Sequence, residues 1–325
     1  MPARICTIEA PAKINLHLEI GERRSDGFHG LESLFASLAL GDTLRFERLG
    51  REAGPENEGG QFSINWESLS REVISREKNL ILKALTLFRQ RTGFKSALKI
   101  RLDKRIPLGS GLGGGSSDAA STLLALNLLA GTALSMVELE EMAVILGSDV
   151  PFFLHGGSAF VSGRGELVDP VKSPEGLWVV LAKPPFSSDT ADAYRLLDQA
   201  RAHREESGGK PGNMPVKEKL SKKALIQALG GDPASWPFSN DFLPIFLDTK
   251  DGAQDPKADG LRSVLETLLE MGSLFSGLSG AGFSCFGVFS LKEAAERAEK
   301  ELSMHGNYAR LTFFLAQKAD PVLEY

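Results

Sequence analysis

The chain has 325 residues, 42% hydrophobic and 24% charged, an ordinary globular composition, and two compact domains are expected because one core rarely grows far beyond ~250 residues. A formal net charge of -5 excludes the basic surface that grips a nucleic-acid backbone, so no nucleic-acid partner is expected. Cys6 and Cys285, the two cysteines, stand far apart without C-x-x-C spacing and read as reduced core residues. The N-terminus lacks a signal-peptide core and no run of about 18 apolar residues occurs, which predicts a cytoplasmic protein with no membrane partner.

In chain order, KINLHLEI (13–20) alternates, placing Ile14, Leu16, Leu18 and Ile20 on one face of a strand and Lys13, Asn15, His17 and Glu19 on the other. ERRSDGFHG reads as a turn, Leu31 to Leu40 fits the helix and strand periods about equally, and DTLRFERL alternates again. Residues 51–60, polar and glycine-rich, read as an exposed excursion. Asn79 opens the helix NLILKALTLFRQRTG as its N-cap and Gly93 ends it; the strand ALKIRL follows.

After a glycine-rich loop comes a helix carrying Leu123, Leu124, Leu126 and Leu128. A second helix opens on the capping box of Ser135 and Glu138 and stops at Gly147, with Asp149 just beyond. LWVVLAKP is a strand. Polar, Lys-, Gly- and Pro-bearing segments from Arg201 to Pro237 and from Asp248 to Gly260 read as long surface connections. The cluster SGLSGAGFSCFGVFS, the helix KEAAERAEKEL and the strand ARLTFFLA complete the chain. Interleaving without a βαβ rhythm predicts an α+β fold.

The loop RIPLGSGLGGGSSDAA decides the chemistry. Gly109, Gly111 and Gly114 satisfy G-x-G-x-x-G, yet two helices follow in succession where a dinucleotide-binding unit needs a helix and a second strand. No lysine follows the glycines as in a Walker A loop, and H-R-D and D-F-G are absent. What remains is physical. Glycines let backbone N–H groups turn inward, Ser116 and Ser117 add hydroxyls, and a helix start supplies the positive end of a dipole, together a phosphate cradle. The ordering entropy of GLGGG requires compensation from a ligand or a close contact, and Gly113 and Gly114 are expected to expose N–H groups to phosphates.

PAKINL, IPLGSGLGGGSSDAA, LGSDVPFFL and SGLSGAGFSCF resemble the signature segments of the GHMP small-molecule kinases. RRSDGFHGLESLF and NLILKAL narrow the likeness to the branch whose acceptor alcohol carries a cytidine diphosphate group, in non-mevalonate isoprenoid precursor synthesis. The resemblance implies ATP and Mg2+, phosphorylation of a 2-hydroxyl, a ribosomal-S5-like N-terminal domain (residues 1–165) and a ferredoxin-like C-terminal domain (residues 166–325), in a monomer or homodimer. It implies an ATP phosphate loop of Pro107, Leu108, Gly109, Ser110, Gly111, Leu112, Gly113, Gly114, Gly115, Ser116 and Ser117, with Asn79 near the adenine. Lys13 and Asp149 match the catalytic pair, Asp149 as the general base.

Asn15 shares the face of Lys13 and is expected to bond the acceptor. Phe28 and His29 match an aromatic-histidine pair around cytosine, Phe28 standing where tyrosine is usual, and Tyr194 matches a second aromatic over the base. Ser279 and Gly280 belong to a third motif that approaches substrate and phosphates. A homoserine or mevalonate kinase is the alternative within the superfamily, and a dinucleotide-dependent oxidoreductase the remote one.

Overall fold

The computed structural model describes residues 4–54, 61–66, 75–186, 189–206, 219–248 and 255–324. Strands β1 (Ile5–Arg23) and β2 (His29–Glu52) form one long antiparallel hairpin, turned by Asp26, whose carboxylate accepts the Phe28 N–H, and by Gly27 at φ 85°. Next come β3 (Gln61–Trp66), α1 (Leu80–Thr92), β4 (Ser96–Lys104), α2 (Gly114–Ala130), α3 (Met136–Leu146), α4 (Val150–His155), β5 (Ser158–Ser162) and β6 (Leu167–Val171). The rest is β7 (Trp178–Lys183), α5 (Thr190–Glu206), α6 (Lys222–Leu229), α7 (Phe242–Leu247), α8 (Pro256–Glu270), β8 (Phe275–Leu278), β9 (Cys285–Phe289), α9 (Lys292–Met304), β10 (Tyr308–Phe313) and β11 (Val322–Glu324).

Among the described residues, seven strands form one sheet in the order β11-β1-β2-β4-β3, with β5 on β2 and β6 on β5, and four form a second in the order β10-β7-β9-β8. With helices packed outside both sheets, the fold is α+β. One core lies between the first sheet and α1 and α2, around Phe46, Phe88, Leu123 and Phe152. A second lies between the sheets, where Ile14, Leu16 and Leu38 meet Val179, Leu181 and Phe286. A third packs the far side of the second sheet against α5, α7, α8 and α9. Both cysteines are free and buried, as their separation predicts. Among the described residues, no helix is long and apolar enough to cross a membrane.

Local signals placed most elements. Asn79 accepts the N–H groups of Ile81 and Leu82, Gly93 is left-handed at φ 71°, and the Ser135–Glu138 capping box is complete. The ambiguous Leu31–Leu40 segment is part of β2, since pairing with β1 on one side and β5 on the other decides what periodicity left open. Three expectations are corrected. A bulge between Asn15 and His17 breaks the alternation of β1, so Leu18 faces the same cleft as Lys13 and Asn15, while the His17 ring packs on Phe238. The supposed surface connections contain α6, which buries Leu225 and Leu229 under its lysines, and the start of α8; residues 207–218 and 249–254 lie outside the described ones, as do 55–60 of the excursion. Finally, residue 165 is not a clean cut, because β6 and the last strand β11 both belong to the first sheet.

Asn79→Ala removes the acceptor for two otherwise orphaned N–H groups and should lower unfolding stability by about 1 kcal/mol. Urea denaturation checks this, and an unchanged midpoint would show that the cap carries no stability.

Candidate active site

The glycine loop joins β4 to α2. Gly109, Gly111 and Gly113 alternate into the left-handed region at φ 59°, 79° and 71°, a path closed to most side chains. Gly113 occupies the N-cap position of α2 with no side-chain cap, so among the described residues the first-turn N–H groups of this helix have no side chain to satisfy them. Leu112 buries its side chain, and its carbonyl accepts the Lys13 N–H at 2.9 Å, which ties the loop to β1. Ser110 Oγ donates to Pro107 O at 2.7 Å, closing the turn that Leu108 occupies.

Packing accounts for several of the glycines. A Cβ on Gly113 would lie 2.7 Å from Phe153 Cζ and 3.0 Å from Lys13 Cγ, and one on Gly114 3.0 Å from Ile106 Cγ2 and Lys104 Nζ. A Cβ on Gly282 would lie 2.5 Å from the Ser110 carbonyl carbon, and one on Gly111 would overlap Ser279 O. Gly109 and Gly115 have open surroundings, the nearest atom to a Cβ on Gly115 being Leu80 Cδ1 at 3.7 Å. Gly113 and Gly114, which sequence assigned to phosphate contact, are thus needed where the loop meets the protein. Ser116 is half-buried, and the fully buried Ser117 Oγ has no hydrogen-bond partner among the described residues.

Beneath the loop lies a buried triad that sequence reasoning missed. Lys104 Nζ is 2.5 Å from Asp42 Oδ2 and 2.8 Å from Asp118 Oδ2. Asp42 Oδ1 also accepts the N–H groups of Arg105 and Ile106, at 2.6 and 2.8 Å. One carboxylate thus anchors the start of the loop, and the lysine carries that anchor across to Asp118 at its end. Burial pulls the Lys104 pKa down, and the two carboxylates more than reverse it; burial pushes Asp118 up to about 7.

At the centre, Lys13 Nζ donates to Asn15 Oδ1 at 2.5 Å, sits 4.5 Å above the Phe35 ring, and is 3.8 Å from Asp149 Oδ2. Asn15 Nδ2 donates to Ser33 Oγ, fixing the amide, and Ser33 donates to His17 O. Burial lowers the Lys13 pKa, with Asp149 only partly opposing it. Asp149 stands at the N-cap position of α4, but its side chain makes no capping bond and keeps a third of its surface open. Ser279 Oγ accepts the Asn15 N–H at 3.2 Å and donates to Gly111 O at 3.1 Å. Gly280 turns at φ 63° against Gly111 and Asn15.

At the far end, the His29 ring stacks on Tyr194 at 5.1 Å with its Nε2 2.9 Å from Asp198 Oδ1, and Tyr194 meets Phe242 edge-on. Burial first, then Asp149, pushes the Tyr194 hydroxyl up to about 12. Phe28 is exposed, with the Arg164 guanidinium carbon 5.2 Å from its ring centre.

A single cleft of about 920 Å³ brings together Lys13, Asn15, Phe28, His29, Gly109, Gly111, Asp149, Tyr194 and Gly280. Asn79 is not among its lining residues; it caps α1, whose first residue Leu80 adjoins Gly115. Arg164, Phe35 and Asp198 also line the cleft and were not foreseen. Only the charged run LDKR on an otherwise alternating strand signalled Lys104.

Family models of the GHMP kinases N terminal domain and the GHMP kinases C terminal domain match residues 79–157 and 247–307. The chain is 37% identical over 302 residues to the 4-diphosphocytidyl-2-C-methyl-D-erythritol kinase of Synechococcus sp., spanning 91% of this chain and 92% of that one. It is 35% identical over 297 residues to the enzyme of the same name from Treponema pallidum, spanning 91% and 94%. A crystal structure of 4-(cytidine 5'-diphospho)-2C-methyl-D-erythritol kinase superposes with a TM-score of 0.69 at 29% identity, covering 94% of this chain and 98% of that one. Homoserine kinase from Cytophaga hutchinsonii, at 19% identity, TM-score 0.64 and coverage of 100% and 98%, shares the fold.

The Lys13 shift sets a pH dependence. Its pKa in the folded protein lies below the ordinary 10.5, so between those values the unfolded chain binds more protons and stability rises with pH. Lys13→Met lacks this contribution. Denaturation of both proteins from pH 7 upward should show the stability difference moving in the wild type's favour as pH approaches 10.5. A constant difference would mean that Lys13 is not depressed in the folded state.

Proposed function

Because the chain belongs to the 4-diphosphocytidyl-2-C-methyl-D-erythritol kinase family of GHMP kinases, and so is a small-molecule kinase, we propose that it transfers the γ-phosphoryl group of ATP to the 2-hydroxyl of that cytidine diphosphate-bearing alcohol, a step in non-mevalonate isoprenoid precursor synthesis. One observation carries this reading: Asp149 faces Lys13 at 3.8 Å in the cleft that runs from the glycine loop to the aromatic residues.

Phosphoryl transfer asks the protein chiefly for positioning and charge neutralisation. The acceptor oxygen attacks the γ-phosphorus, the bond to the β-phosphate oxygen breaks with ADP leaving, and the hydroxyl proton passes to Asp149. Asp149 suits the task because no cap or ion pair closer than 3.8 Å occupies its carboxylate. Lys13, held by Asn15 and Phe35, orients the hydroxyl, and anionic groups entering the cleft favour its charged form against burial. The left-handed glycines and the uncapped first turn of α2 hold the phosphates, with Asn79 beside the base. Phe28, His29 and Tyr194 hold the cytosine, His29 reaching the base edge once Asp198 yields or bridges.

The residues present fit Mg2+. Among the described residues no three acidic, His or Cys side chains converge, as suits an ion held mainly by phosphates and few protein oxygens, and the orphaned Ser117 Oγ is the oxygen to join them. Bound there, the ion supplies neutralisation of the phosphate charge.

ATP consumption across a panel of alcohols should require the cytidine diphosphate group, and equal turnover of homoserine or mevalonate would overturn the assignment. Asp149→Asn should lower kcat at least ~100-fold with ATP affinity nearly unchanged. Near-normal turnover would remove Asp149 from the chemistry.

Gly115→Ala probes the phosphate loop without a clash, its Cβ meeting only Leu80 at 3.7 Å. Alanine within a helix should hold or raise stability by up to about 1 kcal/mol, while the methyl group on the exposed first turn weakens ATP and ADP together. Unchanged nucleotide affinity in calorimetry would place the phosphates elsewhere.

A further inference from the structure

The turn between β5 and β6 is Gly163-Arg164-Gly165, with the two glycines at φ 75° and 120°. It is fixed on both sides. Gly163 O accepts the Leu31 N–H at 2.9 Å, and a Cβ on Gly165 would lie 3.2 Å from Ser148 Cβ and 3.5 Å from Asp149 Oδ1. The Arg164 N–H donates to Glu166 Oε2 at 2.6 Å, which locks the turn from within. One residue away from the Asp149 contact, the Arg164 side chain reaches the Phe28 ring, its guanidinium carbon 5.2 Å from the centroid.

That guanidinium makes no hydrogen bond or ion pair among the described residues, although Arg164 is half-buried and lines the cleft. The other two arginines on the cleft are engaged: Arg195 by Asp192 and Gln199, and Arg23 by the Gly27 carbonyl. Asp26 feels the charge of Arg164 only as a late contribution. Its carboxyl is held below the ordinary value first by the Phe28 N–H, and Arg24 acts on it more strongly than Arg164. A partly desolvated fork of N–H donors with no acceptor is a ready anion site, and stacking on an aromatic face leaves its in-plane donors available.

We infer that Arg164 binds the diphosphate of the acceptor and so sets specificity for a nucleoside diphosphate alcohol. The inference rests on the function proposed above. In that reading the reacting hydroxyl sits at Asp149 and the pyrimidine at Phe28, His29 and Tyr194, so the linking diphosphate crosses the interval that Arg164 spans. Its cation neutralises the linker, while its place over the Phe28 ring keeps the in-plane N–H donors free for the phosphate oxygens.

Calorimetry of cytidine and cytidine diphosphate, with ADP saturating the nucleotide site, tests this on wild type, Arg164→Gln and Arg164→Lys, with circular dichroism as the folding control. Wild type should prefer the diphosphate. Arg164→Gln should weaken the diphosphate at least about tenfold and leave cytidine and ATP unchanged, the scale of one charge-assisted hydrogen bond. Arg164→Lys should recover part of the loss, since charge returns without the planar fork. In turnover, the acceptor KM should rise in Arg164→Gln with kcat nearly held.

Equal weakening of cytidine and its diphosphate would make Arg164 a support for Phe28 alone and overturn the diphosphate assignment, as would unchanged binding of both. If wild type itself takes neither cytidine compound, the acceptor reading fails, a result visible without any variant.

Discussion

Between the loop of residues 109–113 and the loop of residues 279–282 there is no room for a side chain, and the arrangement of the cleft depends on that contact. Gly111 lies against the Ser279 carbonyl, Gly282 against the backbone of Ser110, and the Ser279 hydroxyl bridges the Asn15 N–H to Gly111 O. The Leu112 carbonyl takes the Lys13 N–H. Three segments far apart in sequence are therefore stitched together by backbone groups, before any substrate arrives. Groups set in this way need little reorganisation when charge moves during the reaction, which is where electrostatic preorganisation has its effect.

Two buried lysines stand on either side of this contact, and their surroundings set them apart. Lys104 has carboxylates at 2.5 and 2.8 Å, enough to outweigh burial, so its charge is permanent and serves to fasten both ends of the loop. Lys13 has one carboxylate at 3.8 Å, a neutral amide and a ring face, and there burial wins. A lysine so placed favours any added negative charge close by, because the anion removes a penalty the folded protein otherwise carries. The same residue type is thus a fastening in one place and a waiting partner in the other, the number and distance of the carboxylates making the difference.

What sequence revealed was whatever is decided within a few residues. Asn79 and Gly93, the Ser135–Glu138 box and the glycine clusters act locally and appear where their types predict. The bulge in β1 adds one residue to one strand, and no periodicity argument detects a single-residue slip, so Leu18 and His17 were placed on the wrong faces. Helix α6 was hidden because only Leu225 and Leu229 are fully buried among its eight residues. Asp42, Asp198 and Arg164 acquire their meaning from strand pairing and helix docking across tens to hundreds of residues, with no local signature to betray them.

The glycine run conceals a division of labour. Ordering several consecutive glycines is costly, so something must compensate for each. At Gly111, Gly113, Gly114 and Gly282 the compensation lies in the protein: Ser279, Phe153 and Lys13, Ile106 and Lys104, and Ser110 occupy the space a Cβ would need. Gly109 and Gly115 have no such neighbours. Gly109 is required by its left-handed backbone, whereas Gly115, exposed and inside a helix where alanine is the better residue, has neither conformation nor packing to justify it. A glycine that the fold does not need, at the open first turn of α2, finds its reason in the phosphate binding proposed above.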